Sequence, residues 1–234
     1  MKIKDSVVLV TGANRGLGLE FAKELLKRGA SKVYAAVRDP STVKLEGVIP
    51  IKLDVTSREQ IAEIANKLKD VNLLINNAGI SRGMSIMSPD ASEALNDEME
   101  TNFYGPWRIA QAFAPILKQN GGGAILNVLS VLSWLTFPST ATYSVSKAAA
   151  WSMTNALRGE LQEQNTQVVA LHVAYMDTDM ASHIDLPKTS PQVVAVRTLD
   201  ALEAGDVEVL ADDITQHVKA GLSASNAPYL GVPS

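Results

Sequence analysis

Tyr143 and Lys147 stand four residues apart in the run YSVSK, which opens the Ala-rich stretch YSVSKAAAWSMTNALRGELQEQ. Residues at i and i+4 share one face of a helix, so a phenol and an ammonium reach the same space. A tyrosine hydroxyl with a reference pKa near 10 gives up its proton reluctantly at pH 7. A cation one turn away favours the phenolate. Taken alone, the pair is either a polar couple on a helix surface or a proton-transfer device, and the second reading needs further partners. Ser130 closes the apolar run GAILNVLS, thirteen residues before Tyr143, and offers a hydroxyl for a substrate oxygen. Ser133 and Ser144 are nearby alternatives for that role.

A second group of residues suits a nucleotide. TGANRGLG carries Gly12, Gly16 and Gly18 between an apolar run and an amphipathic one. Glycines allow a tight turn and close approach of backbone to a pyrophosphate, and a following helix presents free N–H groups and a positive dipole end. The next apolar run ends in AAVRDP, with Arg38 where an acidic residue would serve a ribose 2′-hydroxyl. Arg38 together with Arg15 suits a 2′-phosphate, which favours NADPH over NADH. Asp39, one place later, is the competing partner for a free hydroxyl. Asp54 closes a third run, in reach of an adenine amino group, and NNAG at 76–79 closes a fourth.

The elements that must position these residues follow from the hydrophobic pattern. SVVLVTG, KVYAAVR, VIPIKLDV, VNLLINNAG, GAILNVLS and TQVVALHVAY read as six strands. They are continuous apolar runs, the pattern of strands buried on both faces. Between them lie GLGLEFAKELLKRG, a helix stopped by Gly29, and SREQIAEIANKLKD, with a capping box between Ser57 and Gln60. A long helical region over 94–119 contains Pro106 and Pro115 and is expected to bend. The helix of Tyr143 completes the set. Strand–helix alternation gives right-handed crossovers and a parallel, doubly wound sheet with ligands beyond the carboxyl ends of the strands. Apart from Tyr143 and Lys147, which open a helix, these candidate residues fall just after strands.

Five motifs in order, TGxxxGxG at 11–18, NNAG at 76–79, Asn102 in ETNFYG, Ser130 and YxxxK at 143–147, resemble the short-chain dehydrogenase/reductase family from about residue 5 to about 180. The resemblance implies an α/β, single-domain Rossmann fold over residues 1–234, with six to seven parallel strands and helices on both faces. It implies an NADP(H)-dependent carbonyl reductase, with Asn102, Ser130, Tyr143 and Lys147 as catalytic residues. In the family the lysine also holds the nicotinamide ribose, and the asparagine holds a water that connects the lysine to solvent. The implied cofactor site comprises Gly12, Asn14, Arg15, Gly16, Leu17 and Gly18, then Arg38, Asp54 and Val55, then Asn77, Ala78 and Gly79, with Tyr143, Lys147 and Thr178.

Two departures stand out. Aligning Thr178 with the family threonine puts Val173 and Ala174 where a Pro-Gly pair is usual, and a positive φ at Ala174 would be strained. The chain ends NAPYLGVPS without the DGG-like turn of tetrameric members. A monomer or homodimer is therefore expected rather than a tetramer, with a short or absent seventh strand.

Apolar residues gather in the loops above the expected nicotinamide. Met84, Trp134, Phe137, Ala174, Tyr175, Met176 and His183 are the expected substrate pocket, fit for a small hydrophobic ketone or aldehyde. Residues 181–192, with Pro187 and Pro191, read as a loop closing over substrate. The three histidines have no metal-ligand spacing, no GxSxG turn surrounds Ser130, and no cysteine is present. With a net charge of −4 and no basic block, nucleic acid and membrane surfaces are not expected partners. MKIKDSVVLVTG is not expected to be a signal peptide, and the absence of cysteine fits a cytoplasmic protein. Two further readings keep the same residues: a non-catalytic nucleotide sensor, and a dehydrogenase of polar alcohols such as sugars or steroids. An isomerase or epimerase rests on fold analogy alone.

Overall fold

The computed structural model describes residues 1–182 and 185–231. Seven parallel strands form one sheet: β1 Val7–Thr11, β2 Lys32–Val37, β3 Ile49–Lys52, β4 Leu73–Asn76, β5 Gly123–Val128, β6 Thr166–His172 and β7 Glu208–Leu210. Their spatial order is β3-β2-β1-β4-β5-β6-β7. The order reverses between β1 and β4, so their carboxyl ends part and leave the crevice in which doubly wound sheets bind ligands.

The alternating side chains of the central strands feed two separate cores. Val8, Val10, Val33, Ala35, Leu73, Ile75, Leu126 and Leu171 face α1 Gly16–Lys27 and α6 Pro191–Ala204. Leu9, Tyr34, Ala36, Leu74, Ile125 and Val168 face α2 Arg58–Lys67, α4 Gly105–Gln119 and α5 Ala141–Glu160. Because both faces are covered, these strands cannot show a period of two in sequence. The third strand departs from that expectation. Ile49, Pro50 and Lys52 are exposed, because β3 is an edge strand paired only to β2. The seventh strand is present but short, spanning three residues against β6.

Local chemistry sets the boundaries. Arg28 ends α1, and Gly29 follows at φ +80°, a conformation that glycine adopts without strain. Ser57 accepts from the Gln60 amide at 3.2 Å as a cap should. The Gln60 side chain, however, takes the Asp54 amide at 2.8 Å rather than the backbone of Ser57, so the expected capping box is only half made. The long helical region is not one helix. α3 Ala91–Met99 runs into a π-helical turn, Glu100–Tyr104, before α4 begins. In that turn Gly105 donates to the Glu100 carbonyl five residues back. Pro106, at the start of α4, lacks the N–H that a regular helix would aim at the Asn102 carbonyl.

Candidate active site

A cleft of about 820 Å³ opens along the carboxyl ends of β1, β2, β4, β5 and β6. Its floor is the glycine turn. Gly12 has φ +67° and Gly16 φ +53°, so the turn adopts backbone that other residues resist. Gly18 does not line the cleft. It lies beneath, where a Cβ would come within 2.2 Å of the Gly12 carbonyl oxygen. Only glycine there lets the first turn of α1 pass so close to the end of β1. Asn77 donates from its side chain to the Thr11 carbonyl at 2.9 Å, while Thr11 Oγ1 accepts from the Asn77 and Ala78 amides at 3.0 Å each. This cross-tie of β1 to β4 gives Thr11, the first residue of the TGxxxGxG motif, a structural role that the spacing alone does not show.

Asn14, Arg15, Gly16 and Leu17 line the cleft, with Arg38, Asp54 and Val55, and with Ala78, Gly79 and Thr178. The acidic end of β2 is already engaged: the Asp39 carboxylate accepts from the Ser41 amide at 3.0 Å and caps a short 3₁₀ turn. Its charge is stabilised there, and its carboxyl is held below the ordinary carboxylate range by that turn. Arg38 is exposed at the cleft and makes no ion pair among the described residues. Arg15 does not converge on Arg38. It donates to Asp179 at 2.7 Å, an exposed pair reaching across the mouth from the turn to the segment after β6. The expected pincer of two guanidinium groups is thus half-assembled. Asp54 accepts from the Thr56 amide and hydroxyl at 2.9 and 2.8 Å with the same oxygen. Thr42 and Thr101, which no motif marks, also line the cleft.

Ser130, Tyr143 and Lys147 meet at the inner end of the cleft. The Ser130 hydroxyl accepts from the Leu132 amide at 3.1 Å and lines the same cleft as the Tyr143 phenol. The alternatives fall away: Ser133 Oγ caps the Ser130 amide and Ser144 Oγ donates to Thr140 O. The Lys147 ammonium lies 5.7 Å from the centre of the Tyr143 ring and donates to the Val128 carbonyl at 2.9 Å. It is 5% exposed, and burial pushes its pKa down to about 8. The tyrosine does not follow the expected direction. Burial, and then the charge of Glu98, raise its pKa above the ordinary value, while the Ser130 hydroxyl lowers it by less. In the protein alone, the cation one turn away does not overcome desolvation.

Asn102 is buried in the π-turn, and its amide is fully used in the frame of the site. It accepts from the Ile80 amide at 2.9 Å, and donates to the Ile80 carbonyl at 2.9 Å and to Ser146 Oγ at 3.0 Å. A Cβ on Gly79 would sit 3.1 Å from Asn102 Oδ1 and 3.7 Å from Lys147 Nζ, which fixes how closely these residues gather. Behind them, Asn76 donates to Asn127 Oδ1 at 2.8 Å and Asn127 to Thr154 Oγ1 at 2.9 Å, a buried chain that seats α5 on β4 and β5.

The expected substrate pocket is only partly assembled. Ala174 and Met176 line the cleft, and Met180 joins them. Ala174 has no positive φ, and its amide donates to Asp212 at 2.8 Å, so replacement of the Pro-Gly pair carries no strain there. Trp134 is not a pocket residue. A 3₁₀ turn over Val131–Ser133 swings it into a core with Val131 and Val218, stacked on His172 at 3.8 Å and covered by the Lys219 ammonium at 5.0 Å. Met84 flanks the site through its backbone, which pairs both ways with Thr142. Phe137 is exposed at the head of a 3₁₀ turn, and neither it nor Tyr175 lines the cleft. His183 lies outside the described residues. The expected loop over 181–192 is shorter than foreseen. Ala181 ends a 3₁₀ turn, Pro191 opens α6, and Met176 bridges to Thr189.

The residues now placed fit a dinucleotide: a glycine cradle that a Cβ would fill, a crevice at the reversal of strand order, and a basic residue, Arg38, lining the cleft at the end of β2. No group of three or more metal-ligating side chains occurs among the described residues. No helix among them is long and apolar enough to cross a membrane.

Comparison with known proteins agrees with this geometry. A short chain dehydrogenase from Burkholderia cenocepacia, solved in complex with NADP, is 41% identical over 96% of this chain and 95% of its own, with a TM-score of 0.92. The 3-oxoacyl-[acyl-carrier-protein] reductase of Vibrio cholerae is 29% identical, over 98% of this chain and 94% of its own. A 3alpha-hydroxysteroid dehydrogenase of Mediterraneibacter gnavus is 28% identical, over 93% and 94%. The family model for short chain dehydrogenases matches residues 6–188, and the chain belongs to that family of oxidoreductases.

Proposed function

We propose that this protein is an NADPH-dependent carbonyl reductase that converts a small hydrophobic ketone or aldehyde into its alcohol, and runs the reverse reaction when alcohol and NADP+ are supplied. The observation that carries the reading is the meeting of Ser130, Tyr143 and Lys147 at the closed end of a nucleotide-shaped cleft. NADPH, when bound, supplies the hydride. The residues of the chain do the rest. Ser130 and Tyr143 hold the carbonyl oxygen through their hydroxyls and oppose the negative charge that develops on it. Tyr143 Oη gives that oxygen its proton, so neutral phenol is the form needed for reduction. Lys147, beside the ring, carries a positive charge that stabilises the phenolate left behind. Asn102 keeps the loop at Ile80 and the helix at Ser146 in register around the lysine.

NADPH rather than NADH is supported by Arg38 at the end of β2, by the engagement of Asp39 in its own turn, and by the NADP bound to the Burkholderia relative. Reaction at a keto or secondary alcohol group is supported by the names of the Vibrio and Mediterraneibacter relatives. Ala174, Met176 and Met180 give the substrate end an apolar wall. The protein is read as cytoplasmic, and as a monomer or homodimer. A sensor has no use for a tyrosine and a serine gathered with a buried lysine in one cleft, which sets the catalytic reading above the non-catalytic one.

The test is oxidation of NADPH, then of NADH, against aryl and alkyl ketones and aldehydes. Turnover with NADPH and some member of the panel is expected. Tyr143→Phe should lower kcat by about 10³-fold, within the range for loss of a general acid, while leaving NADPH binding nearly unchanged. Tight NADPH binding with no turnover across the panel would move weight to a polar substrate or to the sensor reading. Wild-type kcat in Tyr143→Phe would refute the assigned donor.

A further inference from the structure

The chain leaves β6 at a point that the sheet itself does not hold. β6 pairs with β7 in a fixed register, Ala170 with Glu208 and His172 with Leu210. Ala170 donates to the Val207 carbonyl at 3.0 Å, and Ala211 donates to the His172 carbonyl at 2.9 Å. In an evenly spaced parallel ladder the next rung would run from the Ala174 amide to the Ala211 carbonyl. That rung is not made. β7 ends at Leu210, and the Ala211 carbonyl accepts from the Arg197 guanidinium. The Ala174 amide donates instead to Asp212 Oδ2 at 2.8 Å. A side-chain oxygen thus stands in for a ladder carbonyl, one step past the end of the strand.

The same carboxyl has a second task. Its other oxygen, Oδ1, accepts from the Thr215 amide at 2.8 Å and caps α7 Asp213–Gly221. The capping is reciprocal, since Thr215 Oγ1 accepts from the Asp212 amide at 3.3 Å. Ser, Thr, Asn and Asp all cap helices well. A serine or threonine offers one oxygen, and an asparagine offers one oxygen beside an amide nitrogen that only donates. Both partners of Asp212 are backbone N–H groups, so both of its oxygens must accept. The cap alone would be met by any of the four residue types. The bond to Ala174 is what calls for Asp.

This rung holds the substrate end of the cleft. Val173, Ala174 and Met176 line the cleft together with Ser130, Tyr143 and Lys147. Val173 is tied on its other side, where its carbonyl accepts from the amide of Val131, the neighbour of Ser130, at 3.0 Å. α7 packs behind the same turn: Val218 joins Val131 and Trp134, and the Lys219 ammonium covers the Trp134 ring at 5.0 Å. Ser130 and the Ala174 wall therefore rest on one body, and Asp212 joins that body to the wall. Asp212 itself does not line the cleft.

We propose that Asp212 is a positioning residue of this site: it supplies the rung that the sheet lacks at Ala174, and so sets the wall of Val173, Ala174 and Met176 against Ser130 and Tyr143. The inference rests on the reductase reading and deepens it, since the placing of this wall decides how well a carbonyl compound is held.

The experiment compares Asp212→Ser with Thr215→Val, both on the full chain. Asp212→Ser keeps a capping oxygen for α7 and has none left for Ala174. Thr215→Val removes the hydroxyl of the capping box and leaves the carboxyl in place. With NADPH saturating and the best carbonyl compound of the panel, Asp212→Ser should raise the KM about tenfold, the size of one lost hydrogen bond. Its kcat should stay within about threefold, because a displaced wall weakens ground state and transition state alike. The Kd for NADPH, followed by its fluorescence, should stay within about twofold. Thr215→Val should lose stability to urea and keep the wild-type KM. Amide hydrogen exchange reads the rung without turnover. The peptide containing Ala174 should exchange about tenfold faster in Asp212→Ser, while the first turn of α7 keeps its protection. If Asp212→Ser does not fold, Asp212→Asn, which also has a single acceptor, takes its place. An unchanged KM, unchanged exchange at Ala174, or an equal rise of KM in Thr215→Val would overturn the inference. A loss of NADPH affinity as large as the rise in KM would overturn it too, by moving the effect to the cofactor. Failure of the reductase reading is seen separately, as a wild type that binds NADPH and turns over no member of the panel; exchange at Ala174 then decides whether Asp212 holds the wall.

Discussion

At the scale of single residues, sequence spacing foresaw that the candidate residues gather in one cleft but not their electrostatics. Tyr143, Lys147 and Ser130 lie together as the spacing requires, because one helical turn and one strand end leave few alternatives. The direction of the tyrosine shift was not legible, since it depends first on burial, which no local pattern reports, and then on Glu98, a residue of another helix. Arg15 and Arg38 raise the same issue for the cofactor. Both border the cleft, yet Arg15 is tied to Asp179 in a pair whose side chains are 71% and 76% exposed. Exposed ion pairs hold with about 1 kcal/mol or less, so a phosphate can displace Asp179 at little cost. A charge-assisted hydrogen bond contributes about 1.5–3 kcal/mol, or roughly ten- to a hundred-fold in affinity per arginine. Arg38→Ala combined with Arg15→Ala should therefore raise the KM for NADPH at least tenfold and leave that for NADH within about twofold. Asp179→Asn, by freeing Arg15, should lower the KM for NADPH. Steady-state kinetics with both cofactors check this, and equal losses for NADPH and NADH would refute a 2′-phosphate site.

At the scale of elements, motif glycines do different work that the sequence shows only as one pattern. Gly12 and Gly16 are needed for their positive φ, whereas Gly18 is needed because the helix crosses the strand end without room for a Cβ. Gly18→Ala places a methyl 2.2 Å from a backbone oxygen, and backbone cannot move aside as a flexible side chain can. The first turn of α1 must shift, at a cost of about 1–3 kcal/mol, typical of overpacking. Cofactor affinity should fall with it, since the same turn forms the cradle. Gly159, on α5, is the contrast. A Cβ there meets nothing within 4 Å, and its φ is not positive, so Gly159→Ala should stabilise by up to about 0.5–1 kcal/mol. Urea unfolding of the two variants should thus show opposite signs, and destabilisation of both would refute the steric account. Helix and strand order was legible at this scale because buried parallel strands and their covering helices differ in length and punctuation. The π-turn at Glu100–Tyr104 was not: Pro106 marks a break in the helical pattern, but the bonds of Asn102 to Ile80 and Ser146 within it join residues distant in sequence. Trp134 misled for a similar reason. An aromatic residue just after a strand suits a pocket, but a 3₁₀ turn of three residues redirected it into the core.

At the scale of the whole molecule, the two cores on either side of the sheet were foreseeable from continuous apolar strands, but the polar groups buried between them were not. His172 is the clearest case. It is fully buried at the end of β6, stacked on Trp134, with Nδ1 3.1 Å from the Ser130 carbonyl and Nε2 without a hydrogen-bond partner. Glu208 stands 3.8 Å from Nε2, too far for a hydrogen bond. Desolvation outweighs these attractions and lowers the histidine's pKa to about 4. In the unfolded chain the ordinary value is about 6.5. Between those two values the unfolded state binds a proton that the native state refuses. Stability from this residue is therefore intact above pH 6.5 and declines as pH falls towards 4. The slope approaches about 1.4 kcal/mol per pH unit, so about 2 kcal/mol is lost between pH 6.5 and 5. His172→Phe keeps the stacked ring and removes the titration. Its unfolding free energy, measured by urea at pH 7 and pH 5, should fall less than that of the wild type by about that amount, because carboxylates that titrate in both proteins cancel in the difference. Parallel losses in the two proteins would mean that His172 takes up its proton as readily folded as unfolded, and that acid lability arises elsewhere in the chain. Because the same ring touches the carbonyl of Ser130, the wild type should lose activity and global stability together as the pH is lowered through this window, rather than activity first.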